Sequence, residues 1–438
     1  MSNFEVSDPI LNSPFEEPQA HWWILPGETP VQRPGRRFAH YFYRDPRSGT
    51  KDSAEVDTGT MIEMKLVSRI RERLAAWRTA GYPGASRTTL ELLAYWSREG
   101  RGQPLFFAQR EAAETVVFLF EARADFRQGI TVPRDEPSEE KKAEGYAGFL
   151  RYACKMATGS GKSTVMAMLA AWSILNKHAN RSDARFSDVV LIVCPNVTIR
   201  DRLRELDPEA GEASLYRTRD LVPRDCMPAL TQGKVVVTNW HVFEPQAPAG
   251  ASGAKVVKAG RAERHVETIT ISDKTTTARG TRYLKLDDIQ RQLAAGLLNV
   301  IEEIRAKSGD LAKVKVESVR YVESDTALIE RVLGREIGGK RNILVLNDEA
   351  HHAYRIRRAE PDEDEEDDEE GLDEFYREAT VWIDGLDRVQ KLRGINCCID
   401  FSATPYYLGR VGQEANRPFP WVVSDFGLIV SFRQACVT

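Results

Sequence analysis

The chain of 438 residues has no apolar run near the roughly 18 residues that would cross a bilayer, so no membrane partner is expected. Its start, MSNFEVSDPILNSPFEEP, lacks the basic segment and apolar core of a secretory leader. Cysteine is scarce. Cys154, Cys194, Cys226, Cys397, Cys398 and Cys436 fall mostly within apolar runs and form no CxxC pair. Neither a disulfide framework nor a zinc site finds support, and a reducing, cytoplasmic setting is expected. No internal repeat is visible.

An excess of positive charge is also lacking, since the formal net charge is −4. That figure hides an uneven distribution. Residues 359–374, AEPDEDEEDDEEGLDE, hold twelve carboxylates and no Lys or Arg. Without them the remainder is net basic, which is compatible with a polyanionic partner but does not demand one. Such a run cannot bury apolar surface and is expected to be a solvated, disordered insertion. A mimic of nucleic acid that covers a basic groove is the alternative.

What is present is ordinary globular composition with a change of pattern near residue 104. Before it, residues 1–103 read as a separate, partly helical region. Ile62, Leu66, Ile70, Leu74 and Trp77 recur at helical spacing, and a second helical pattern covers 88–95. Residues 30–47 interleave Arg33, Arg36, Arg37, Arg44 and Arg47 with Phe38, Tyr41, Phe42 and Tyr43. That mixture either tracks phosphates and stacks bases or forms a basic surface strand with its aromatics turned inward.

From 104 to 438 short apolar runs alternate with helices. The runs are 148–154, 189–194, 235–238, 343–346 and 395–401; the helices cover 110–122, 164–175 and 199–206. Apolar strands alternating with helices imply a parallel sheet covered on both faces, an α/β architecture. A second insertion is expected at 245–282, with a hairpin formed by 265–271 and 281–286.

Three groups of residues carry chemistry. Met156-Ala-Thr158-Gly159-Ser160-Gly161-Lys162-Ser163-Thr164 lies between a strand and an apolar helix, the context of a phosphate-binding loop. Its glycines allow the turn that points backbone N–H groups at phosphates, and the helix N-terminus adds its dipole. Lys162 is expected on the β and γ phosphates of ATP, and the Ser163 hydroxyl on Mg²⁺. Asp348-Glu349-Ala350-His351 follows the strand 343–346, so its carboxylates project where ligands of parallel sheets bind. Asp348 is expected to hold Mg²⁺ and Glu349 to polarise the attacking water. No other His or Cys has the spacing to make a metal site with His352. Ser402-Ala403-Thr404 follows the next strand, and its hydroxyls can relay the nucleotide state.

In this order the loop, the Asp348–His351 box and the 402–404 tripeptide resemble motifs I, II and III of superfamily 2 DEAD/DEAH-box helicases. Phe107-Ala108-Gln109 resembles that group's adenine-reading glutamine motif, with Gln109 on the base edge; an ordinary helix-start glutamine is the lesser alternative. Cys194-Pro195-Asn196 resembles motif Ia, and Asn239 stands at the next strand end, where family members touch the nucleic-acid backbone. Asn12-Ser-Pro-Phe-Glu-Glu-Pro18 with His21-Trp22, KMATGSGKS and NDEAHHAYR resemble the restriction (Res) subunit of type III restriction enzymes.

The resemblance implies a P-loop, RecA-like fold and a Mg·ATP-hydrolysing module of a duplex-DNA translocase. Its partner would be a DNA methyltransferase subunit or a chain carrying a second motor domain. It departs in two respects. Neither the QxxGRxxR-like string of a second RecA-like domain nor a nuclease constellation is found after Thr404, so both domains are expected to be absent and activity alone to be low. A nucleotide-dependent binding fragment without turnover is the competing expectation.

Overall fold

The first hundred residues form short ribbons and two helices. Strands β1 (Ala20–Trp23) and β2 (Val31–Pro34) pair antiparallel, as do β3 (His40–Tyr43) and β4 (Thr60–Glu63). The computed structural model describes residues 10–23, 29–43, 60–246, 260–273, 276–278, 281–294, 298–305, 311–334, 337–356, 369–407 and 417–426. Helix α1 (Lys65–Thr79) buries Val67, Ile70, Leu74 and Trp77. Ile62, expected on this helix, belongs to β4 instead; the helical spacing runs one turn too far back. Helix α2 (Arg87–Ser97) is capped by Ser86, whose Oγ accepts from the Thr89 N–H at 3.0 Å, a favourable start for an isolated helix. Helix α3 (Phe107–Glu121) and the short α4 (Glu139–Ala143) complete the approach to the sheet.

That sheet has six strands, all parallel: β5 (Arg151–Met156), β6 (Val189–Cys194), β7 (Lys234–Asn239), β13 (Ile343–Asp348), β14 (Ile395–Ser402) and β15 (Val422–Phe426), in the order β15-β5-β14-β13-β6-β7. The five apolar runs read from the sequence fall on or overlap β5, β6, β7, β13 and β14, because a parallel sheet is covered on both faces and tolerates little polar surface; β15 was not read. Helices α3 and α5 (Lys162–Ala179) cover one face, packing on Tyr152, Cys154, Val190, Ile192, Leu344, Leu346 and Ile399. On the opposite face lies the long helix Glu369–Arg393, whose Trp382 indole donates to the Asn347 carbonyl at 3.2 Å.

This opposite face is polar at its centre. Arg151 is fully buried and donates to Asp400 at 2.7 Å and to Asp135 at 2.8 Å, and its guanidinium also reaches the Ala353 carbonyl. Asp400 further accepts from Asn347 at 2.9 Å and from Trp421 at 3.1 Å. Arg355 continues the network by bridging Asp135 at 2.6 Å and Asp387 at 2.7 Å. The carboxylates hold the Arg151 guanidinium more firmly protonated than usual, against the cost of its burial.

The chain divides into two units, residues 1–243 with 332–438, and residues 244–331. The expected boundary at 103/104 therefore falls inside the first unit. Arg36 grips Glu111 of α3 with a two-pronged bond at 2.6 and 2.7 Å, and Arg78 holds Glu114 at 3.0 Å. Arg36 is thus spent on structure, and Arg37 is buried. Of the basic surface strand with inward aromatics, Arg33 is at the surface and Tyr41 packs against the core, but Arg36 and Arg37 turn inward and Phe38 is exposed; Arg44 and Arg47 lie outside the described residues.

The second unit is longer than the insertion expected at 245–282, of which 247–259, 274–275 and 279–280 lie outside the described residues. It carries β8 (Gly260–Ile271), β9 (Thr276–Ala278), β10 (Thr281–Leu284), β11 (Leu298–Arg305) and β12 (Leu311–Glu323) in the order β11-β12-β8-β10-β9. β8 and β10 do lie side by side, but they run parallel. The expected hairpin fails because β9 reverses the chain first and β10 reverses it again, slotting between the two. Of the acidic run 359–374, residues up to 368 lie outside the described residues, while 369–374 open the helix Glu369–Arg393 rather than a loop.

Removing the charge of Arg151 should be costly. Arg151→Met is expected to lose about 3–5 kcal/mol of unfolding free energy, because Asp400 is left buried without its cation. Adding Asp400→Leu should recover part of that loss. Urea titrations of the single and double variants, compared with the native chain, check both expectations.

Candidate functional site

Strand β5 ends at Met156, and the chain then turns through Thr158–Gly161 before entering α5. Gly159 and Gly161 adopt φ of 82° and 88°, the left-handed region that L side chains resist. The turn is tight at Gly161 for a second reason: an added Cβ would come within 2.0 Å of Gln109 Nε2. Gln109 is buried at the start of α3. Its Oε1 accepts from the Phe106 N–H at 3.0 Å, and its Nε2 donates to the Ser160 carbonyl at 3.2 Å. Gln109 therefore braces the turn, with both ends of its amide engaged.

Opposite the turn, β13 delivers Asp348 and Glu349. Asp348 shares the parity of Leu344 and Leu346, so it faces the α5 side. It is 2% exposed, and its Oδ1 is buried without a hydrogen-bond partner. Burial raises its carboxyl to about 6, against the pull of Lys162. Glu349 sits at φ 51° and ψ 46°, a conformation costing about 1–2 kcal/mol for a residue with a Cβ; strain of this kind concentrates at functional sites. Its Oε1 forms an ion pair with Lys162 Nζ.

Thr158, Gly159, Gly161, Lys162, Ser163, Thr164, Asp348 and Glu349 line one cavity of about 770 Å³ at the carboxyl ends of the strands, within the size range of small-molecule sites. Behind it stands a second layer. Burial, reinforced by His352, lowers His351 to about 4, so its imidazole is neutral and its 3.5 Å approach to Glu349 is not an ion pair. Thr404 N–H donates to Ser402 Oγ at 3.0 Å, and Ser402 lies 2.9 Å from His351 Nδ1. The three segments expected to work together are physically joined.

Other expected residues lie off the cavity wall. Ser160 is buried and donates to the Ala157 carbonyl at 2.6 Å. Asn196 caps the helix Val197–Leu203 by accepting from the Ile199 N–H at 2.9 Å. Pro195 and Asn239 stand with it where β6 and β7 end, on one edge of the sheet, and Asn239 is buried. Sequence reading missed Gln103, Ile199, Arg202, Glu205, Thr218 and Arg219, which also line the cavity. The i, i+3 spacing of Ile199 and Arg202 was the one available signal, since it places both on one helix face.

The cavity residues can hold a polyanion and one hard cation. Among the described residues no three His, Cys, Asp or Glu side chains cluster as a metal cage. A cation here would rest on the free oxygen of Asp348, the Ser163 hydroxyl and the ligand's own oxygens, which suits Mg²⁺.

Gly161→Ala should cost more than the roughly 1–2 kcal/mol of a left-handed alanine, because the new methyl also strikes Gln109. Combining it with Gln109→Ala should return the excess and leave the backbone term. Urea unfolding of both variants is the check, and a Gly161→Ala variant as stable as the native chain contradicts this cradle.

Comparison with family models, with curated proteins and with solved structures finds nothing that matches this chain, and the site stands on its own geometry.

Proposed function

We propose that the first unit is a RecA-like module that binds Mg·ATP and hydrolyses it, the nucleotide-handling part of a DNA translocase similar to the R subunit of type III restriction enzymes. The observation that supports this best is the meeting of Lys162 and Ser163 with a buried, unpartnered Asp348 oxygen and a strained Glu349 in one cavity at the strand ends. Duplex DNA as the track, and a methyltransferase subunit or second motor domain as partner, follow from the sequence resemblance.

The backbone N–H groups of the turn and the first residues of α5 bind the phosphates, and the helix dipole adds to their field. Lys162 leaves Glu349 for the β and γ phosphates as ATP enters, which frees Glu349 to orient a water and take its proton. Mg²⁺, when held by Asp348 and Ser163, supplies charge neutralisation at the phosphate oxygens. Water attack on the γ phosphorus breaks the bond to the bridging oxygen and yields ADP and phosphate. Through neutral His351 and Ser402, the state of Glu349 reaches the end of β14.

Lys162→Ala should abolish most ATP affinity while the fold survives; unchanged affinity by calorimetric titration would sink the assignment of the loop. Glu349→Gln should bind ATP no more weakly than the native chain, because the rival partner of Lys162 is gone. Its hydrolysis should fall by about 10² or more. Steady-state phosphate release separates the two cases: equal turnover with and without Glu349 removes it as the base, and tight binding with no turnover in the native chain points to a binding fragment.

A further inference from the structure

The wall facing the glycine-rich turn has no assigned role, and its chemistry is cationic. Ile199, Arg202 and Glu205 recur every three residues along the helix Val197–Leu203 and the turn that follows, and all three line the cavity. The neighbouring arginines point elsewhere. Arg200 pairs with Asp201 at 3.0 Å and Arg204 with the same carboxylate at 3.5 Å, and neither touches the cavity wall. Among the described residues no hydrogen bond or ion pair engages the Arg202 guanidinium.

Arg202 is also placed along the cavity. Its charge acts on Asp348, favouring the ionised carboxylate as Lys162 does. Arg202 and Arg219 both act on Glu205, and Arg219 donates to Gln103 Oε1 at 3.1 Å. Arg202, Glu205, Arg219 and Gln103 line the same cavity as Asp348 and Glu349. Lys162 is engaged by Glu349, whereas Arg202 is a lining cation that, among the described residues, no ion pair engages.

Resting on the reading of this cavity as a nucleoside-triphosphate site, we propose that Arg202 binds the terminal phosphate of the ligand and makes the site prefer tri- over diphosphates. A terminal phosphate carries more charge than the others and must lie beside Asp348 and Glu349, where the wall offers Arg202. A guanidinium matches two phosphate oxygens at once, in a geometry that an ammonium cannot reproduce. The charge comes from the same unit as the glycine-rich turn, so terminal-phosphate recognition needs no second domain.

The test is calorimetric titration of the full chain with ATP, ADP and inorganic tripolyphosphate, each with Mg²⁺. Native protein is compared with Arg202→Ala, Arg202→Lys and Arg204→Ala, all checked for native circular dichroism. Arg202→Ala should weaken ATP and tripolyphosphate by about tenfold or more and ADP by less than about threefold, with Arg202→Lys intermediate. Arg204→Ala should match the native chain. Equal losses for ATP and ADP, or none for either, overturn the proposal while nucleotide binding stands. Arg202-dependent binding of tripolyphosphate without ATP binding supports the phosphate subsite and rejects the nucleotide. A native chain that binds none of the three rejects both.

Discussion

A positive charge in the middle of a parallel sheet is tolerable only when every donor on it is answered, and the interior of this protein is organised around that requirement at Arg151. Its guanidinium reaches β14 through Asp400, the segment before the sheet through Asp135, and the stretch after the Asp348–His351 box through the Ala353 carbonyl. Those are the supports of all three parts of the site. Asn347, which neighbours Asp348, and Asp400, two residues before Ser402, bond each other on the face opposite the cavity. The alternation of the strands then sends Asp348 to the other side. Breaking one partner of such a buried network leaves an uncompensated charge, so its geometry is held firmly even where its net contribution to stability is small.

On that base the free site is occupied by itself. Lys162 and Glu349 neutralise each other, Gln109 props the turn, and His351 is kept neutral by burial. The free oxygen of Asp348 is the exception. A buried carboxylate oxygen without a donor is destabilising, and a cation arriving with a polyanion relieves it. Natural proteins break local rules of this kind mainly at functional sites.

The sequence made most of the sheet legible because continuous apolar runs such as VVLIVC and ILVL have few other uses, and Val189–Cys194 was bounded as it stands. The glycine-rich turn and the Asp348–His351 box were legible for the same reason: both are local strings. What depends on distant pairing was not. Arg36 reads as a surface cation until Glu111 meets it, and Arg151 reads as one polar interruption of a strand. Strands β11 and β12 escape notice because charged residues interrupt LNVIEEIR and LAKVKVESVRYVE throughout, and such strands look like loops or helices without their neighbours. Gln109 was found, but its direction follows from packing on Gly161, which no spacing reveals.

The order of the sheet also dictates when the site can come into being. β5, which carries the glycine-rich turn, is flanked by β14 and β15, the last strands of the sheet in the chain. While the ribosome works from the turn to Ile395, at about 5–20 residues per second, that strand waits on the order of ten seconds or longer with neither edge paired. β6 and β7 can pair meanwhile, but they cannot shelter it. A strand left open on both edges invites pairing with another chain, so translation that stalls before Ile395 would leave this segment, with its buried Arg151 unanswered by Asp400, in the state most prone to aggregate.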